Sequence, residues 1–492
     1  MVSHPFRGGA SHKVSRAREK FSQSDRLGAG DLLPASLVEE AMREEGVRPY
    51  ACFYTPVVTI WTFLTQVLGP DRCCRAAVAK LLAMLASLDE CCSKTDAAVG
   101  QTARAGQYDA EDVAPDTGPY CKARERLPVG LLTRLARRAG NDLHKRYPSG
   151  RLLGGRRVKI VDGTVVSMPD TPENQARFPQ PHTQKPGLGF PIMRVVAVLS
   201  AFGAAVLDMA TGPYKGKGSG ETSLFRGLLD GLEDGDVILA DRYYASFWLI
   251  AMLHKRNVDC VMRQHQHRRV DFRRGQRLGH EDHVITLCKP RQRPDWMEEG
   301  AYEELPDQLT VREVRVRVAI KGFRVRILVA VTTLLDAQRY SKQDIADALR
   351  FRWHIELDLR SIKQTMGMTV LRCKAPEMVV KEAWMYMLAY NLIRTAMAEA
   401  AQRAGVEPRE LSFAGALQTL VAFSPALQAA RPDDLPNLWN ILLRAIGYHR
   451  VGDRPDRYEP RAVKRRSKPI AILRVPRQKA RRHLARSPKA NY

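Results

Sequence analysis

Val158-Lys159-Ile160-Val161-Asp162-Gly163-Thr164 is the stretch on which the fold turns. Val158, Ile160 and Val161 read as a short buried strand, and Asp-Gly-Thr reads as its stop. Downstream, 192–199 and 204–209 are two more apolar runs split at Gly203, each short enough to be a strand. Residues 222–232 fit a helix. Residues 236–240 are a short apolar strand with Asp241 at its C-terminal end. A helix over 246–254 and a strand over 259–262 follow. Three strands, helix, strand, helix, strand is an α/β pattern.

The flanks differ in character. Residues 1–150 are mostly helical, with apolar residues at helical spacing over 57–68 and 76–88. Residues 263–310 are polar and rich in Arg and His. Their His and Cys residues have irregular spacing and arginine neighbours, which favours a surface facing nucleic acid over a zinc site. Val314, Val316, Val318 and Ile320 then alternate with Arg315 and Arg317. After a Lys321-Gly322 turn, Phe323, Val325 and Ile327 alternate with Arg324 and Arg326. Period two predicts a hairpin with every arginine on one face. Ser341, with Asp344 three residues on, caps a helix that runs through Arg352, Glu356 and Lys363. A second helix covers 376–400. The stretch 461–492 has twelve Lys or Arg and no acid, the composition of a disordered basic arm.

The formal charge is +25 over 492 residues with 45% apolar content. Such a surplus draws the chain to a polyanion through phosphate contact and counterion release. Nine cysteines without a Cys-x-x-Cys are expected to be reduced thiols. The most apolar run, 195–207, is too short to span a bilayer. With no apolar leader at the N-terminus, the expected location is the cytoplasm.

Asp162 and Asp241 each follow a short apolar strand, so each carboxylate emerges at a sheet edge. Such an aspartate can equally be a turn former. Glu356 adds a carboxylate on a helix. At about 100° per residue, Arg352 lies about 40° and Lys363 about 20° from it, while Asp358 points about 160° away. An isolated Arg–Glu pair at this spacing is usually a surface ion pair. Three converging carboxylates suit hard cations, Mg²⁺ above all. Two ions about 4 Å apart can drive an in-line phosphoryl displacement, with Arg352 and Lys363 holding the phosphate.

The residues Leu349-x2-Arg352-x3-Glu356-x6-Lys363 closely resemble the Tyr-x2-Arg-x3-Glu-x6-Lys signature of DDE transposases of the insertion-sequence-four family. Asp162-Gly163-Thr164 and Asp241-Arg242-Tyr243-Tyr244 are similar to that family's first and second aspartate motifs. Tyr120-x3-Arg124-x-Arg126-Leu127-Pro128 is similar to the segment ahead of its core. Leu349 departs from the pattern, since it stands where the signature has a hydrogen-bonding tyrosine.

The resemblance implies an α/β, ribonuclease H-like catalytic core with a β-rich insertion, flanked by an N-terminal helical DNA-binding region and a basic C-terminal tail. The expected division is 1–150 helical region, 151–262 first part of the core, 263–330 insertion, 331–405 second part of the core with the Glu helix, and 406–492 helical region and tail. Asp162, Asp241 and Glu356 are the expected catalytic metal ligands for two Mg²⁺ ions, with Mn²⁺ able to substitute. Arg352, Lys363, Arg315, Arg317, Arg324 and Arg326 are the expected DNA contacts. The implied partners are double-stranded DNA, as element ends and target, and a second copy of the chain in a homodimer on DNA. No membrane is implied, and the chain would sit with the nucleoid. By the same resemblance Trp296 could stack on a flipped base, though a lone tryptophan is more often packing. Two alternatives stay open: a metal-dependent DNA nuclease that does not transpose, and a non-catalytic DNA-binding derivative. A ribosome- or RNA-binding basic protein would need no carboxylate triad.

Overall fold

β1 (Val158–Ser167) runs past the expected Asp-Gly-Thr stop. Its two neighbours explain why. Parallel pairing with β4 (Val237–Ala240) covers Val158↔Val237 to Ile160↔Leu239 and goes no further. Antiparallel pairing with β2 (Ile192–Ser200) continues to Ser167↔Ile192. On the β4 side the strand is therefore left without a neighbour after Ile160 until Ser167 pairs with the 369–371 segment, and a gap opens there at Asp162.

The structure is a computed structural model that describes residues 33–48, 52–96, 115–147, 150, 152–265, 267–318, 326–452 and 473–486. β3 (Val206–Pro213), β5 (Asp259–Arg263), β6 (Gln276–Gly279), β7 (Asp282–Cys288), β8 (Gln308–Val318) and β9 (Arg326–Thr332) complete one nine-stranded sheet of order β3-β2-β1-β4-β5-β9-β8-β7-β6. β1, β4 and β5 are parallel, and every other pairing is antiparallel. The strands of the expected insertion thus extend the core sheet through the β5–β9 pairing.

Strand alternation splits the apolar residues between two layers. Val158, Ile160, Leu239 and Val261 join the core of the long Pro376–Ala404 helix. Val161, Ile238, Ala240 and Met262 join that of the Phe247–His254 helix. Helices cover both faces, as parallel strands require. The N-terminal helices Ala35–Glu44, Pro56–Leu68 and Val129–Arg146 contribute to the first of these cores, so they share it with the sheet. No helix among the described residues is long and apolar enough to cross a membrane.

One buried amide locks this layer. Asn391 Nδ2 donates to the carbonyls of Val206 at 2.8 Å and Ala136 at 2.9 Å, and Asn391 Oδ1 accepts from Val206 N at 2.8 Å. Gly140 makes the approach possible, because a Cβ there would collide with the Val206 carbonyl. Asn391→Leu strands these backbone groups away from water. We expect a loss of about 2–4 kcal/mol, read as a lower denaturant midpoint. An unchanged midpoint would show that the amide is dispensable.

Four further sequence readings change. The 222–232 helix is shorter, Glu221–Arg226, followed by a single 3₁₀ turn. Within 263–310, His283 is buried, hydrogen-bonded to Glu313 and to the Arg274 carbonyl, so it is part of the packing rather than a surface facing nucleic acid. Part of the basic tail, Arg477–Arg486, is a helix; 461–472 and 487–492 lie outside the described residues. The hairpin register also differs. A two-residue turn at Lys321-Gly322 would set Arg317 across from Arg326, but Arg317 pairs with Ile327 and Val318 with Arg326. A one-residue shift exchanges the faces of a strand. Ile327 is accordingly 70% exposed while Leu328 and Ala330 are buried. The turn and Arg324 lie outside the described residues, as does the side chain of Arg326. The expected four-arginine face is therefore, among described side chains, Arg315 and Arg317. Of these, Arg315 is already paired with Glu281 and stacked on Phe272.

Candidate active site

Continuing the β1–β4 register two residues beyond Ile160↔Leu239 sets Asp162 beside Asp241. Paired residues of parallel strands share a face, and neighbouring strands lie about 4.8 Å apart, so both carboxylates issue from one edge of the sheet on one side. Asp241 is extended, at φ −80° and ψ 173°, and begins the Arg242–Tyr244 turn. Asp162 is largely buried, and its Oδ1 accepts from Gly163 N at 2.8 Å.

The third carboxylate arrives on an interrupted helix. Ser341 and Asp344 form the expected capping box on Lys342–Phe351. The single helix expected through Lys363 then tightens. Trp353, Ile355 and Glu356 donate to carbonyls three residues back, the His354–Arg360 helix follows, and Ser361–Thr365 widens into a π turn. A π turn often marks a functional site. Ile355, Leu359 and Ile362 seat the segment on the sheet. Glu356 projects outward, its side chain 54% exposed.

Arg352 ties these elements together. Its Nη1 lies 3.9 Å from Asp162 Oδ2 and its Nη2 3.5 Å from Glu356 Oε1, while the side chain itself is buried. Both contacts are longer than the roughly 2.7–2.9 Å of a strong charge-assisted hydrogen bond. Lys363 sits in the π turn, where burial pulls its ammonium pKa down. The same turn is fastened to the end of β1, with Thr369 N donating to the Lys363 carbonyl and Ser167 N donating to the Thr369 carbonyl at 3.1 Å. Asp162, Glu356 and Arg352 are thus brought together and Lys363 is anchored alongside, while Asp241 reaches them only by extending the β1–β4 register two residues past its last pair. Arg315 and Arg317 lie on β8, beyond β5 and β9. Leu349, in place of the signature tyrosine, is buried in the main core. Asp358 is buried too, bound by Arg394 and Arg409. Trp296 is exposed, with the Arg226 guanidinium 3.5 Å from its ring centroid.

The electrostatics leave Asp162 short of positive charge. Burial pushes its pKa up to about 6. The Gly163 N–H and Arg352 pull it down, and the carboxylates of Glu221 and Glu356 push it up again. Glu221 was not visible in the sequence as a site residue. It opens a short helix after a glycine-rich loop, and only the fold brings it to Gly163. Tyr244 stands in the second aspartate motif, where nothing in the sequence marks its hydroxyl as part of the site.

Among the described residues, no group of three or more His, Cys, Asp or Glu is gathered closely enough to hold an ion as it stands. The donor chemistry nevertheless fits Mg²⁺, because every candidate ligand is a carboxylate. Arg352 already puts positive charge between two of them through long, weak contacts.

Residues 153–392 match the family described as "Transposase DDE domain". The chain is 30% identical over 365 residues, 72% of this chain and 77% of the relative, to Transposase InsG for insertion sequence element IS4 of Escherichia coli (strain K12). A solved structure of piggyBac transposase in a synaptic complex with hairpin DNA covers 90% of this chain and 87% of its own, at 9% identity and a TM-score of 0.37, too low a likeness to identify the fold. The extended match to the insertion-sequence relative, over the segment that carries both aspartates and the glutamate helix, shows that this chain belongs to the DDE transposases of the insertion-sequence-four family, enzymes of DNA cleavage and strand transfer.

Proposed function

We propose that the chain cuts the DNA ends of an insertion sequence and joins them to target DNA, using Asp162, Asp241 and Glu356 as ligands for two Mg²⁺ ions, which Mn²⁺ can replace. What supports this is that the β1–β4 register, extended two residues past Ile160↔Leu239, would set Asp162 beside Asp241, and that Arg352 spans Asp162 and Glu356. β3-β2-β1-β4-β5, with β2 antiparallel and β4 and β5 parallel to β1, is what a ribonuclease H-like core would contain. We propose the domain division inferred from sequence on that basis, action in the cytoplasm at the nucleoid, and a homodimer on DNA.

When bound, the ions activate the attacking oxygen and stabilise the leaving one. In the first step a water oxygen forms a bond to the phosphorus at the element end, the bond to the 3′ oxygen breaks, and a 3′-OH is left. That hydroxyl then displaces a phosphodiester oxygen in the target. Arg352 orients Asp162 and Glu356 and neutralises part of their repulsion, and Lys363 holds the DNA backbone. A duplex bearing the DNA that flanks the gene, with Mg²⁺ and a target plasmid, tests the reading. Joined products are expected. Cutting without joining would make the chain a nuclease, and binding without cutting a non-catalytic derivative.

Arg317 is the exposed arginine of β8. If it meets a phosphate, Arg317→Glu weakens DNA binding and lowers the slope of log K against log salt by about one. Arg315→Glu should do less, because Glu281 already engages that guanidinium. An unchanged slope for Arg317→Glu would remove β8 from the DNA interface.

A further inference from the structure

We propose that Glu221 is a fourth carboxylate of the catalytic centre, seated beside Asp162 in the notch left by Gly163 and serving as an additional ligand for a divalent cation. The proposal rests on the reading of Asp162, Asp241 and Glu356 as metal ligands.

The first observation is steric. An ideal Cβ on residue 163 would lie 2.6 Å from both Cγ and Oε1 of Glu221. No side chain other than hydrogen leaves room for the carboxyl group. The absence of a side chain next to Asp162 therefore does more than end a turn, because it admits a second acid from the opposite face of the sheet. The helix Glu221–Arg226 is held on that face by Phe225, which packs in the core of the Phe247–His254 helix.

The second observation is independent of the acids. Tyr244 is fully buried, and its Oη has no hydrogen-bond partner. Its charged neighbours are Glu221, Asp162, Arg194 and Asp241. A buried hydroxyl normally finds a partner. This one lies among three carboxylates and the Arg194 guanidinium, where the water shell of a bound cation would supply it. Glu221 itself makes no ion pair or hydrogen bond among the described residues. A helix start favours an acid, but that accounts for neither the notch nor the unpartnered hydroxyl. Arg352 reaches Asp162 only at 3.9 Å, so two acids placed together here are a stability cost that a cation would lower further.

The test uses the full chain in the absence of DNA. Mn²⁺ is titrated in and free Mn²⁺ is read by electron paramagnetic resonance, for wild type, Glu221→Gln, Gly163→Ala and Asp241→Asn. All three variants are expected to bind Mn²⁺ about tenfold more weakly or worse. Gly163→Ala should do so because its methyl group displaces the Glu221 carboxyl. Glu221→Gln should also slow cleavage of element ends by about 100-fold. In chelator its Tm should equal or exceed that of wild type, since a like charge has been removed beside Asp162. A purely structural role for Glu221 would lower Tm and leave Mn²⁺ binding alone. Wild-type Mn²⁺ affinity in Glu221→Gln, with Asp241→Asn weakened, overturns the proposal. Wild-type affinity in Asp241→Asn overturns the underlying metal-site reading and this proposal with it.

Discussion

Asp162→Asn, Asp241→Asn and Glu356→Gln should each reduce Mg²⁺-dependent end cleavage by about a thousandfold or more, some 4 kcal/mol of barrier. DNA binding should survive. Each substitution keeps the side-chain volume and removes one negative charge from a site that already holds too many. For Asp162 the sign of the stability change can be worked out. Burial, Glu221 and Glu356 hold its folded pKa at about 6, above the ordinary carboxylate value. The ionised form is therefore destabilised in the fold, and Asp162→Asn should leave the metal-free protein as stable as wild type or more so. Glu356 is exposed and among the described residues reaches only Arg352, so Glu356→Gln should also be neutral to stability. Chelator should reproduce the loss of cleavage in the wild type. Full cleavage by any one variant would remove that residue from the site, and a collapse of DNA binding would give it a structural role instead.

The strand-end aspartates and the Arg–Glu–Lys spacing were legible because local pattern fixes them. Val158, Ile160 and Val161 announce β1, and two apolar strands of the same reach bring Asp162 and Asp241 to one edge. Arg352 and Glu356 meet because they are four residues apart on a helical segment. What the sequence hid depends on distant partners. β1 continues to Ser167 because β2 and the 369–371 segment are there to pair with it. β9 reads Arg-Ile-Leu-Val-Ala-Val-Thr, apolar on both parities from 327 to 331, so alternation alone could not say whether Ile327 or Leu328 faces the core. The pairing Arg317↔Ile327 decided it. Glu221 lies in a polar loop-and-helix start, where an acid carries no signal until Gly163 is seen beneath it.

Asp358→Ala should be the most destabilising single substitution on the glutamate helix, and its effect separates packing from chemistry. Simple helical geometry puts Asp358 on the face opposite Glu356, which suggests a harmless control. The structure shows what occupies that face. Asp358 Oδ1 accepts from Arg394 Nη2 at 2.7 Å, and Oδ2 accepts from Arg409 Nη2 at 2.9 Å. Arg394 also donates to Tyr390 Oη at 2.9 Å and lies over the Tyr390 and Phe413 rings. Arg409 lies over Phe351. Asp358 and Arg394 are buried where the His354–Arg360 helix meets the Pro376–Ala404 helix, and Arg409 closes the cluster from a half-buried position. Removing the carboxylate leaves two guanidinium groups without an anion, which typically costs about 3–5 kcal/mol. Cleavage would fall as well, because the segment carrying Arg352 and Glu356 loses its anchor. The two effects should stay tied, with activity returning at low temperature in proportion to the folded fraction. Asp358→Asn, which keeps one acceptor oxygen, should lose less. If the cost lies in the orphaned charges, Arg394→Met added to Asp358→Ala should recover part of the stability, a favourable coupling that a double-mutant cycle reads directly. Lost cleavage with an unchanged melting temperature would reverse the assignment: Asp358 would then be the catalytic carboxylate and Glu356 the surface partner of Arg352.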